Sequence, residues 1–95
     1  MSHTVSASQT IQTYRTSPLP GCCLYCALLE EVLPSHRTAY AIHVHLEHAN
    51  GKDDTCTVHD ITGDTAFACE IFHKICRGTV TPCTLSEVLS DLLAE

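Results

Sequence analysis

Apolar residues recur along this chain with two periods: two in its middle third, and the longer period of a helix towards its C-terminus. Tyr40, Ile42, Val44 and Leu46 alternate with Ala41, His43, His45 and Glu47. Side chains on a strand point to alternate faces, so this run predicts a strand with one apolar and one polar face. Ala49-Asn50-Gly51-Lys52-Asp53 follows as a hairpin turn, and Thr55 to Ile61 continues the alternation with Cys56 and Val58 inward. Matching the apolar faces places Val44 beside Val58, Leu46 beside Cys56 and His43 opposite His59, with a longer or bulged loop than a strict Asn-Gly turn. Upstream, Cys22 to Val32 is almost wholly apolar, a pattern open to helix or strand on periodicity alone. The turn residues Leu33-Pro34-Ser35-His36 lead it straight into the clear strand and favour a strand here too.

After Thr62-Gly63-Asp64 the period lengthens. Ala68, Cys69, Phe72, Ile75 and Cys76 make one face of an amphipathic helix, with Thr62 or Asp64 as its cap and Gly78 as a left-handed stop. A second helix begins near Pro82, where Thr84-x-x-Glu87 has capping-box spacing and Leu85, Val88, Leu89, Leu92 and Leu93 form a stripe. Residues 1–18 lack apolar periodicity beyond Ile11 and Tyr14, and read as a disordered arm before a single domain at 19–95. The predicted architecture is α+β: a three-stranded antiparallel meander with two C-terminal helices packed on one face.

Composition narrows the function classes. The chain has 11 acidic residues against five Lys and Arg, and the basic residues form no stripe, so nucleic acid is not an expected partner. No apolar run spans a bilayer and no secretory pattern opens the chain, which points to a cytoplasmic protein with no membrane partner. In that setting the seven cysteines are expected as thiols, mostly acting as small core hydrophobes.

Several constellations carry candidate chemistry. Cys23-x-x-Cys26 with Cys56-x-x-His59 has zinc-ribbon spacing, but positions i and i+3 of a strand face opposite ways. Cys69, His73 and Cys76 share a helix face, where the simpler reading is a core stripe with a border histidine. His43, His45 and His59 cluster on the outer sheet face, as candidate ligands for Zn, Ni or Cu or as a pH-sensing group. Against them stands the plainer reading of a solvated polar face. No phosphate loop, paired carboxylates or nucleophile–base motif is present, so neither an enzyme nor a resident cofactor is expected. The first apolar strand exposes Cys23, Tyr25, Ala27 and Leu29 on the face that the helices leave bare. Those residues are the expected interaction surface, for a homodimer or another protein partner.

Tyr25 through Glu31, Tyr40-Ala41-Ile42, Asp60-Ile61-Thr62, Cys76-x-Gly78 and the run Thr81-Pro82-x-x-Leu85-x-Glu87-Val88-Leu89-x-Asp91-Leu92-Leu93 stand in one order over residues 22–94. In that order and spacing the chain resembles a family of small proteins of unknown function from anaerobic, spore-forming Gram-positive bacteria. It departs from that family at Ala41, where Gly is frequent, and at Thr84, where His is frequent. The resemblance implies the architecture and no activity.

Overall fold

The computed structural model of the protein describes residues 7–17, 19–78 and 80–94. Four strands precede two helices: β1 (Ala7–Thr16), β2 (Cys23–Val32), β3 (Thr38–Glu47), β4 (Asp53–Thr62), α1 (Thr65–Arg77) and α2 (Leu85–Leu93). The strands form one antiparallel sheet in the order β1-β2-β3-β4. The fold is therefore α+β with an antiparallel sheet and two helices, but the sheet has four strands rather than three. The extra strand is β1, drawn from the segment expected to be an arm; residues 1–6 and Pro18 of that segment lie outside the described residues. β1 is held by main-chain pairing along β2, which needs no apolar alternation in its own side chains.

Two hairpins of one design set the middle of the sheet. In each, the first residue of the turn accepts from the third residue beyond it: His36 N–H donates to Leu33 at 2.9 Å, and Gly51 N–H to His48 at 3.0 Å. In each, the residue closing the turn is left-handed, His36 at φ 64° and Gly51 at φ 85°. This is a three-residue loop ending in a bulge, one of the common hairpin connections. It places Val44 opposite Cys56 and Ile42 opposite Val58, two residues away from the expected register. Both registers keep the apolar set on one face, so the alternation could not choose between them; the turn did. The displaced residues reappear further along as a bulge. Tyr40 pairs with Thr62 and Ile42 with Val58, so three β4 residues, His59 to Ile61, oppose Ala41 alone. Asp60 takes the left-handed conformation this requires (φ 51°), and its carboxylate accepts from Arg37 at 2.9 Å.

The inner face is the core. Leu24, Cys26 and Leu28 of β2 and Tyr40, Ile42 and Val44 of β3 are buried against Ala68, Ile71, Phe72 and Ile75 of α1 and Leu85 and Leu89 of α2. The Tyr40 hydroxyl is satisfied there, 3.0 Å from Glu30 Oε2 and 2.6 Å from Thr65 Oγ1. Two thiols, Cys26 and Cys76, meet inside this core. Burial, and then the neighbouring Cys76, push the Cys26 thiol up to about 11, which keeps it protonated and apolar at neutral pH.

Of the two expected caps of α1, Asp64 is the one used, its Oδ1 accepting from Ala66 at 2.9 Å and Phe67 at 3.3 Å. The helix ends depart from the sequence reading in two places. Gly78 ends α1 with an ordinary right-handed φ of −84° instead of a left-handed stop. Thr84 forms no side-chain cap on α2, because its hydroxyl turns back to Thr81. Leu93, placed in the α2 stripe, is 42% exposed.

Candidate functional site

Alternation along β2, β3 and β4 sends a second set of side chains to the outer face, which no described element covers. On β2 this set is Cys23, Tyr25, Ala27, Leu29 and Glu31. On β3 it is Ala39, Ala41, His43 and His45, and on β4 Thr55, Thr57 and His59. The face is less bare than its exposure to solvent on one side suggests. Ala27, Ala39 and Ala41 are buried, while Cys23, Tyr25 and Leu29 are half-buried. β1 shields the far side of β2, and the Arg15 guanidinium lies 5.1 Å over the Tyr25 ring.

The three predicted histidines do not converge. His43 lies opposite Thr57 rather than His59, and its Nδ1 is 2.6 Å from Thr57 Oγ1. Its imidazole titrates below the usual range, because burial and then the nearby His45 disfavour its charged form. The His43 and His45 rings meet edge to face with centroids 6.5 Å apart. His45 Nε2 stands 3.3 Å from Asp53 Oδ2, close enough for an ion pair on protonation. That nitrogen is buried and out of line for a hydrogen bond. His59 is carried away by the β4 bulge. Its Nδ1 sits 3.0 and 3.1 Å from the two oxygens of Glu31, whose side chain is 4% exposed. This pair joins β4 to β2 across β3, at the level where β3 offers only Ala39 and Ala41.

Among the described residues, no three His, Cys, Asp or Glu side chains are arranged to hold a metal ion. The two halves of the zinc-ribbon spacing are split by the sheet: Cys26 and Cys56 face the core, Cys23 and His59 face out. On α1, Cys69 accepts from Gln12 Nε2 at 3.2 Å, Cys76 is in the core and His73 is exposed.

Two features were missed by the sequence reading. Glu31 read only as half of an acidic pair, since its partner lies 28 positions away and reaches it through the bulge. The second is a groove of about 500 Å³ between β1 and α1, walled by Gln12, Thr13 and Tyr14 on one side and by the helix from Glu70 to Arg77 on the other. No signal for it was available once β1 had been read as an arm. The Ile, Tyr and Thr content of residues 10–16 was the one β-favouring hint.

A small α+β unit of antiparallel hairpins backed by two helices is the class that this geometry defines. The chain belongs to a family of unknown function (DUF6514), whose model matches residues 18–95. The match takes in β2 to α2 and leaves β1 outside it. No curated protein and no solved structure matches the chain.

Proposed function

We propose that the protein is a small non-catalytic interaction module that self-associates through its outer sheet face. The observation that carries this reading is the face itself: Cys23, Tyr25, Ala27 and Leu29 of β2 adjoin Ala39 and Ala41 of β3 in one apolar strip that no described helix covers. Ten-residue strands at about 3.3 Å per residue and four strands about 4.8 Å apart give a flat projection of roughly 600 Å². Side-chain relief brings that near the ~800 Å² per partner of a standard interface. Two such faces packed about a twofold axis make a sandwich of two aligned sheets, with each strip against its copy. The polar contacts support a binding role over catalysis. The hydroxyl–imidazole pair (Thr57 with His43) and the carboxylate–imidazole pair (Glu31 with His59) use different histidines, so they form no continuous relay. A cytoplasmic setting accompanies this reading, supported by seven free thiols. Among the described residues, no helix is long and apolar enough to cross a membrane.

Sedimentation equilibrium at neutral pH tests the proposal. The expected mass is twice 10.4 kDa, and Leu29→Arg, which sets a charge on half-buried Leu29 within the apolar strip, is expected to return it to one chain with an unchanged circular dichroism spectrum. A single-chain mass for the parent protein from micromolar to millimolar concentration would sink the idea. Transition-metal binding through His43, His45 and His59 stands second, because the histidines are turned to separate partners. Metal analysis of untagged protein decides it, and stoichiometric Zn, Ni or Cu would reverse the order.

A further inference from the structure

The two edges of the sheet differ in how they meet solvent. β4 is guarded: it carries Asp53, Asp54 and Asp60, and its bulge breaks the ladder at His59 to Ile61. Negative charges and bulges of this kind deter the addition of another strand. β1 has little such protection. It carries neither Lys nor Pro and one charge, Arg15, which lies over Tyr25 on the outer face, and its bulge at Ile11 leaves Gln12 to Thr16 in unbroken register with β2. Among the described residues β1 pairs with β2 alone, so within them the backbone groups on its other side have no strand partner.

Beside that regular stretch runs the groove of about 500 Å³. Phe72 and Cys76 give it an apolar floor, and His73, Lys74 and Arg77 stand along its helical wall. The chain has five Lys and Arg in all and a net charge of −6, yet two of the five line this groove. Glu70 also lines it, 3.9 Å from Lys74.

We infer that the β1 edge and the α1 wall together form a docking groove for an extended acidic peptide segment of a partner protein. The segment adds to β1 as a fifth strand, taking its affinity from main-chain hydrogen bonds. Its alternate side chains enter the groove, where an apolar residue meets Phe72 and a carboxylate meets Lys74 and Arg77. This surface is separate from the outer face proposed for self-association, and the two are read by different residues.

The test uses isotope-labelled full chain and a blocked eight-residue peptide with threonine at every second position and valine and glutamate taking turns between them, so that both share one strand face, beside the same peptide with lysine for glutamate. The acidic peptide is expected to shift the amides of Gln12 to Thr16 and of Glu70 to Arg77, and to bind at least tenfold more tightly than the lysine peptide. The doubly substituted Lys74→Glu, Arg77→Glu protein, altered only at exposed positions, is expected to lose at least tenfold in affinity for the acidic peptide. Unmoved β1 amides with both peptides would overturn the inference. So would equal affinity for the two, or shifts confined to Tyr25, His43 and their outer-face neighbours. Edge-to-edge pairing of two β1 strands, seen as contacts between labelled and unlabelled copies that the peptide does not displace, would also overturn it.

Discussion

On the inner face Leu24, Leu28 and Ile42 are hidden by the side chains of α1 and α2, whereas on the outer face Ala27, Ala39 and Ala41 are hidden by their own neighbours in the sheet. The first kind of burial needs large complementary side chains and a second layer. The second needs small residues flanked by long ones, and it tolerates polar contacts such as Glu31 with His59 as the covering material. One sheet thus has a face packed under two helices and a face that no described helix covers.

The contrast is broken most severely by emptying the packed face. Phe72 is 2% exposed at the centre of the core, and Phe72→Ala is expected to cost about 3–5 kcal/mol in urea unfolding. Thr57→Ala on the outer face should cost far less.

Alkali sharpens the comparison. Cys26 sits on the packed face with its thiol raised from 9.0 to about 11. A raised thiol means that the unfolded chain releases its proton first. The stability held by the neutral thiol is therefore complete below pH 9 and lost as pH rises from 9 through about 11, a change on the order of 2–3 kcal/mol. Urea midpoints across that window are expected to fall more steeply for the parent protein than for Cys26→Ala.

Acid works on the other face, with the smallest effect of the three. His43 has a folded value lowered from 6.5 by burial and by His45, so its contribution is present above pH 6.5 and lost as pH falls through the lower folded value. His43→Gln is expected to flatten the acid limb of the stability profile while leaving the alkaline limb untouched. An unchanged acid limb would mean that the outer face is not sensed through this imidazole.

Much of the packed face was legible in the sequence, because burial on one side writes a period of two into β3 and a helical stripe into α1. Tyr40, Ile42, Val44, Phe72 and Ile75 were all placed correctly on those grounds. β1 was not legible: its inner positions Gln12, Tyr14 and Thr16 lie beyond the helices' full cover, so selection for apolar residues is weak there. Main-chain pairing leaves no side-chain signature. The outer face was legible as a list of residues but not as an arrangement. Parity puts His43, His45 and His59 on one side, while the turn at Gly51 and the bulge at Asp60 decide which of them meet, and both act through backbone dihedrals. The groove depended on β1 and was lost with it.

The order β1-β2-β3-β4 repeats the order of synthesis, and that has a consequence for the nascent chain. Each hairpin can close as soon as its second strand leaves the ribosome, since every strand pairs only with its sequence neighbours. The helices that cover the inner face come last. At about 5–20 residues per second, the stretch from Thr65 to Leu93 takes a few seconds to complete. During that interval Leu24, Leu28, Ile42 and Val44 have no helix to cover them, so burial of the sheet's apolar face must wait for the last third of the chain.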